Sequence, residues 1–133
     1  MSPEEFKIRV FEYGIRIVRM VQALPSKDSA RDLGRQLLRA GTSVGANYRA
    51  AARARSRADF VAKLGIVEEE CDESLYWMEM LMELDLVNRK RVQPLYAEGT
   101  EILAMVVSSI TTARNRPKPL RVRSTKTNLR RRK

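Results

Sequence analysis

The sequence predicts an all-α protein: an antiparallel up-down four-helix bundle followed by a disordered basic C-terminal arm. Four segments carry apolar residues three or four positions apart, the spacing of one helix face, and no segment alternates as a strand would. The connections between these segments are short, which favours antiparallel neighbours. We therefore assign residues 1–114 to the bundle and residues 115–133 to the arm.

The first two helices have recognisable ends. The first is expected from about Pro3 to Ala23, and Pro25 stops it because proline disfavours helical geometry at the residue before it. The second is expected from Asp28 or Ser29 to Arg55. Its apolar stripe continues in register across two central glycines, so we predict one unbroken helix.

The third helix is expected to extend from about Ser56 to Val87. Ser56 and Asp59 resemble a capping box, in which the serine caps backbone N–H groups and the acid reaches back. Residues 88–91 are the predicted turn, and the fourth helix is expected from about Val92 to Arg114.

All six glycines lie inside predicted helices rather than in turns, although each costs about 1 kcal/mol relative to alanine there. Close approach between helices, within the bundle or between subunits, is the expected compensation. These glycines are Gly14, Gly34, Gly41, Gly45, Gly65 and Gly99.

The charge is distributed unevenly along the 133 residues. The chain has 26 Lys and Arg against 16 Asp and Glu, a net charge of +10. Removing the eight basic residues of 117–133 leaves 18 basic and 16 acidic residues in 1–116. The body is nearly neutral, so a binding face on it must arise from how its charges are arranged.

The residue types present argue against an enzyme. The chain has no histidine, the commonest general base and a usual metal ligand, and no recognisable nucleophile with its base. We therefore expect no catalytic residues, no metal and no cofactor. One cysteine and no apolar signal segment favour the cytoplasm, and the longest uncharged stretch, Ile102 to Ala113, is too short to span a bilayer.

Arginines recur along the second helix in two groups separated by 18 residues, which is five whole turns. An unbroken helix would align them in an exposed stripe about 80° wide, opposite Leu37 and Val44. Such a ridge suits contacts with nucleic-acid phosphates. The candidate residues are Arg31, Arg35, Arg39, Arg49, Arg53 and Arg57.

A structural role for the same arginines stays open. The third helix is acidic, so the stripe could instead pair with carboxylates within or between subunits. These acids are Glu68, Glu69, Glu70, Asp72, Glu73, Glu79 and Glu83. They are interpreted as a solvated or interface face, because the di-iron sites of helical bundles use histidine as well as glutamate.

Cys71 is interpreted as core packing, and Trp77 as half-exposed or an oligomer contact.

The C-terminal arm is predicted to add sequence-independent affinity for a polyanion, with a solubilising tail as the alternative. Apolar anchors for a membrane surface are missing from it. Its basic residues are Lys118, Arg121, Arg123, Lys126, Arg130, Arg131, Arg132 and Lys133.

Two stretches of sequence carry a family resemblance. Leu24-Pro25 with the segment from Leu33 to Asn47, and the later segment from Asp59 to Trp77, resemble the four-helix-bundle proteins encoded by 23S rRNA intervening sequences. The resemblance covers about residues 6–113. One departure is at 47–51, where relatives often have Asn-Ile-Ala-Glu-Gly and this chain has Asn-Tyr-Arg-Ala-Ala.

The resemblance implies a homo-oligomer, a pentamer in relatives, without enzymatic activity. It implies that Asn47 is a buried polar residue bonded to a neighbouring helix. A related branch serves diversity-generating retroelements, where the bundle binds a reverse transcriptase and its nucleic acid, so a reverse transcriptase is a candidate partner. We expect a homo-oligomeric RNA- or DNA-binding module; the alternative is an oligomeric protein scaffold whose arginines pair with acidic faces of neighbouring subunits.

Overall fold

Four α-helices account for nearly all of residues 1–116, the part of the chain that the computed structural model describes. They are α1 (Pro3–Gln22), α2 (Asp28–Ala52), α3 (Arg57–Glu83) and α4 (Arg89–Asn115). No strand occurs within these residues. The predicted all-α class and the number of helices are confirmed.

Side-chain caps determine where three helices begin. Ser2 and Glu5 form a capping box at α1, with the serine hydroxyl accepting from the Glu5 N–H and the glutamate accepting from the Ser2 N–H. Ser56 caps α3 as predicted, by accepting from the Asp59 N–H at 3.0 Å, whereas the Asp59 carboxylate accepts from the Arg55 N–H and does not complete a capping box. Asn88 caps α4 by accepting from the Arg91 N–H, so α4 begins three residues earlier than predicted.

The predicted end of α3 was wrong by four residues. The helix stops at Glu83, and Asp85 follows with a φ of 56°, while the Leu86 N–H donates back to the Leu81 carbonyl. This left-handed residue is usually glycine, and aspartate is one of the few others that tolerate the conformation. Because the segment has neither glycine nor proline, the sequence carried no strong signal for this end.

The helices pack in ring order, α1 on α2, α2 on α3, α3 on α4 and α4 on α1. Their apolar faces form one core, which includes Ile17, Leu37, Leu64 and Ile102, all fully buried. A partly buried ion pair joins α1 to α4 across the edge of this core. Arg9 donates twice to Glu98, at 2.6 and 2.8 Å, and once to Glu101 at 2.6 Å.

The central glycines of α2 allow it to lie against α1. A Cβ at Gly41 would be 2.7 Å from Cγ1 and Cγ2 of Ile17, and one at Gly45 would be 3.2 Å from the Val10 carbonyl oxygen. The predicted close approach between helices is confirmed here. Gly65 differs, because a Cβ there would have no neighbour within 4 Å among the described residues.

A small polar network crosses the centre of the core. The Tyr13 hydroxyl lies 2.8 Å from Ser74 Oγ, and the serine donates to the Cys71 carbonyl at 2.6 Å. The tyrosine therefore donates to the serine. No buried side-chain nitrogen or oxygen in the described residues lacks a hydrogen-bond partner.

Candidate nucleic-acid interface

The outer side of α2 carries the arginine ridge that the sequence predicts. The helix is unbroken from Asp28 to Ala52, so the expectation that it continues through its two central glycines is confirmed. Its buried side holds Leu37 and Val44, and the opposite side is exposed. Four candidate arginines lie inside the helix, and all are exposed: Arg31, Arg35, Arg39 and Arg49.

The first two arginines of the ridge pair with acids on their own helix. Arg31 lies 2.9 Å from Asp28, and Arg35 lies 3.5 Å from Asp32. Exposed pairs of this kind contribute about 0–1 kcal/mol, so a phosphate can replace the carboxylate at little cost. Both guanidinium groups thus remain available, with their charge partly offset.

Arg39 differs from the rest of the ridge because it reaches α3. It lies 3.2 Å from Glu70 and also donates to Glu73. Hydrogen bonds from the Trp77 indole N–H and from Arg39 lower the pKa of Glu73. Its position makes Arg39 a link between α2 and α3, which is the structural role left open above, and its assignment as a phosphate contact stays a prediction.

Arg49 and Arg53 have no ion-pair partner within residues 1–116 and are exposed. Arg49 lies inside α2, one turn before its end. Arg53 is the C-cap residue, because α2 ends three residues earlier than predicted. The free positive charge of the ridge is therefore concentrated toward the C-terminus of α2.

Arg57 lies beyond the end of α2, in keeping with the predicted end of that helix at Arg55. Because α2 stops at Ala52 and the chain turns, Arg57 is the first residue of α3 and does not continue the α2 ridge. Its Nη1 donates to the Arg116 carbonyl oxygen at 2.8 Å. This contact brings the start of α3 against the end of α4.

Sequence reasoning overlooked three further arginines at this end of the bundle. We define the arginine-rich end as the exposed or half-exposed residues Arg53, Arg55, Arg57, Arg114 and Arg116. The alternation of arginines at 53, 55 and 57 was a visible signal. Their meeting with the arginines of α4 depends on tertiary packing, which the sequence pattern alone does not reveal.

The predicted role of Asn47 is also corrected. The residue is half-buried, and its side-chain amide donates to the Ser43 carbonyl of its own helix at 2.8 Å. The expected bond to a neighbouring helix is replaced by this local one, because a carbonyl four residues back lies within reach of an asparagine on any α-helix. Asn47 therefore belongs to α2 and does not tie helices together.

Two buried groups bear on chemical reactivity. Cys71 is fully buried, and burial raises the pKa of its thiol to about 12. Burial likewise raises the pKa of Tyr13. Both groups stay protonated at neutral pH, so the cysteine lacks the thiolate that a nucleophile needs, and its predicted packing role is confirmed.

Trp77 is half-buried, beside Tyr76, with its ring packed against the core.

The eight basic residues predicted to form the arm lie outside the described residues, which end at Arg116. Within 1–116, no cluster of three or more cysteine or acidic residues is arranged to hold a metal ion. None of the described helices has the length and apolar character needed to cross a membrane.

These features define an all-α four-helix bundle protein with arginine-rich surfaces. Residues 7–108 match the 23S rRNA-intervening sequence protein family, and the chain belongs to this family.

A solved structure supports the same assignment. It is the crystal structure of a protein of unknown function from the S23 ribosomal protein family, from Bacteroides thetaiotaomicron VPI-5482. The two chains are 36% identical with a TM-score of 0.78, and the match covers 84% of this chain and 100% of that one. No curated protein matches this chain.

Proposed function

We propose that the protein is a non-enzymatic, homo-oligomeric module that binds the phosphate backbone of RNA or DNA, as an accessory to a reverse transcriptase or another ribonucleoprotein. The observation that carries the proposal is the exposed α2 ridge, whose residues Arg49 and Arg53 have no ion-pair partner within 1–116. From residue 33 to residue 58 the chain contains six arginines and no acid. Guanidinium groups without local carboxylates favour phosphate binding.

Self-association is the second part of the proposal. Ile8, Phe11 and Ile15 form an apolar stripe on α1 and are 59%, 58% and 37% exposed. Phe11 and Ile15 line a groove with the small α2 residues Thr42 and Ala46, and Arg49 lies at the same groove. Contiguous exposed apolar surface of this kind marks contact sites, and a second copy of the chain is the occupant that the family resemblance favours, as a pentamer.

We also propose that the bundle has an antiparallel up-down topology, which the contacts between α1 and α2 support. Val10 faces Gly45, Ile17 faces Gly41 and Leu24 faces Gly34, so contacts advance along α1 as they retreat along α2. The proposal places the protein in the cytoplasm, in keeping with its single cysteine.

The experiment compares nucleic-acid binding by Arg35→Glu/Arg53→Glu with that of the wild type. Arg35 is exposed on α2 and Arg53 is the exposed C-cap residue of that helix, so helicity should be unchanged by circular dichroism. Losing two phosphate contacts should reduce the slope of log K against log salt by about 1.4 for a single strand, and affinity by about tenfold or more. Fluorescence anisotropy with a labelled 20-mer measures both quantities.

The matched control is Lys90→Glu/Arg91→Glu, which makes the same charge change at two exposed residues of α4. It should bind like the wild type. Equal binding by the wild type and Arg35→Glu/Arg53→Glu at every salt concentration would exclude the ridge as the contact surface.

The second candidate is a protein scaffold whose arginines pair with acids of neighbouring subunits. Arg39 already contacts two acids of α3, and Glu69, Asp72 and Glu83 remain exposed on that helix. The scaffold hypothesis predicts that Arg35→Glu/Arg53→Glu dissociates the oligomer. Light scattering at matched concentration separates the two functions, because the nucleic-acid hypothesis predicts unchanged mass.

A further inference from the structure

The arginine-rich end combines positive charge from three parts of the chain. α2 stops there at Ala52, α3 begins at Arg57, and α4 stops at Asn115. The hydrogen bond from Arg57 to the Arg116 carbonyl joins the last two. Arg57 also lines a shallow surface depression with Arg114. Five arginines thus converge on one end of the bundle.

The acids at this end already have partners of their own. Asp59 accepts two hydrogen bonds from Lys63, at 2.7 and 2.9 Å, which lower the pKa of its carboxyl. Glu4 lies 3.4 Å from Lys7, and Glu5 forms the capping box of α1. Asp59 also accepts from the Arg55 backbone N–H at 3.4 Å, but within 1–116 none of these carboxylates lies within 4 Å of a guanidinium nitrogen of the cluster. The local charge is therefore strongly positive.

A shallow, open groove lined by hydroxyl groups lies beside the C-terminal end of α4 and this cluster. Its volume is about 840 Å³, and Phe60 and Arg116 border it. The hydroxyl residues lining it are Ser108, Ser109, Thr111 and Thr112. Elsewhere Thr42, Ser43 and Thr100 donate to carbonyls of their own helices, but these four hydroxyls have no hydrogen-bond partner within 1–116. They are available as neutral donors to phosphate and sugar oxygens.

We infer that the arginine-rich end and the α4 hydroxyl groove form a second nucleic-acid contact surface, which takes the backbone of a single strand leaving the α2 ridge. Arg53 belongs to both surfaces and makes them continuous. Arginine supplies charge-assisted bonds to phosphates, and the hydroxyls contact phosphates and sugars between them. The sequence beyond Arg116 contains eight more basic residues and no acid, so the favourable charge continues along the chain.

This inference rests on the proposed function, since both require nucleic acid as the ligand. The test replaces two exposed arginines that lie outside the α2 ridge, in the full-length variant Arg55→Gln/Arg114→Gln. The matched control, Lys90→Gln/Arg91→Gln, removes the same charge at the other end of α3, a 27-residue helix about 40 Å long. That separation is several times the Debye length of about 8 Å at physiological salt.

Binding of labelled single-stranded 20-mers of RNA and of DNA is measured by anisotropy over a salt titration. The end variant should lower the slope of log K against log salt by about 1.4 and weaken binding about tenfold near 0.15 M salt. The control should match the wild type. Circular dichroism and light scattering confirm that each variant keeps its helicity and mass.

The possible failures are distinguishable. A wild type that binds neither oligonucleotide at low salt overturns the proposed function itself. A wild type that binds, with an end variant no weaker than the control, overturns only the second surface and leaves the ridge as the site. Loss of oligomer mass in the end variant, with binding unchanged per chain, would make this end a contact between subunits instead of a nucleic-acid surface.

Discussion

Replacing two glycines by alanine should have different effects on the stability of the bundle. Gly41 and Gly65 both lie inside long helices, so each substitution gains about 1 kcal/mol of helix propensity. Their surroundings differ. A Cβ at Gly65 meets nothing within 4 Å among the described residues, whereas one at Gly41 would lie 2.7 Å from Cγ1 and Cγ2 of Ile17 and 3.0 Å from its Cβ.

The magnitude at Gly41 follows from the stiffness of Ile17. That side chain is fully buried and branched at Cβ, so it has little freedom to rotate away. Overpacking of this kind costs about 1–3 kcal/mol. Gly41→Ala should therefore range from neutral to about 2 kcal/mol less stable than the wild type, and Gly65→Ala should be about 1 kcal/mol more stable. The propensity gain is common to both, so their difference isolates the packing cost.

Urea unfolding followed by far-ultraviolet circular dichroism measures both variants, at two protein concentrations because the protein is proposed to self-associate. Equal stability of Gly41→Ala and Gly65→Ala would refute the argument that α1 lies too close to α2 for a side chain. A destabilised Gly65→Ala with a concentration-dependent midpoint would instead place that position inside a subunit contact.

Two further predictions concern polar contacts between helices. Arg9→Met should destabilise the bundle by about 1–3 kcal/mol at neutral pH, because it leaves the carboxylate of Glu98, 20% exposed, without its bidentate partner. Hydrogen bonds from Arg9 lower the pKa of Glu98, so the stabilisation by this pair is fully present above the pKa of Glu98 in the unfolded chain. The difference in unfolding free energy between Arg9→Met and the wild type should shrink as the pH falls through the lower pKa of the folded state. A difference that stays constant from pH 7 to pH 3 would contradict this. Tyr13→Phe should cost about 1 kcal/mol in urea unfolding by removing the hydrogen bond to Ser74, and wild-type stability in this variant would refute that bond's contribution.

The apolar pattern predicts the helices well because the burial of one face sets their periodicity. Val10, Tyr13 and Ile17 follow the spacing of three or four, and all are buried. Helix ends were less predictable, because they depend on local backbone geometry. Nothing in the sequence around Asp85 marks a stop, whereas Pro25 marked the end of α1 within one residue.

The sequence predicts which side of α2 carries the arginine ridge, but not which residues its arginines contact. The sequence places Arg35 and Arg39 on the same side of α2, and both are exposed there. Which carboxylates face each guanidinium depends on how α3 packs against α2, and that packing separates Arg39 from the rest. The arginine-rich end could not be predicted from the sequence pattern, because Arg55 and Arg114 are distant along the chain and come together only in the fold.

The polar network in the core limits which core substitutions the protein can accept. Apolar stripes alone define the alignment of neighbouring helices weakly, since a core accepts exchanges of apolar side chains of similar volume at modest cost. The hydrogen bond between Tyr13 and Ser74 removes that freedom, because a displaced α1 would leave the Tyr13 hydroxyl buried without its acceptor, while Ser74 would keep only its bond to the Cys71 carbonyl. Many of the surrounding aliphatic residues should therefore be exchangeable at constant volume, provided these two hydroxyls stay in place to set the alignment.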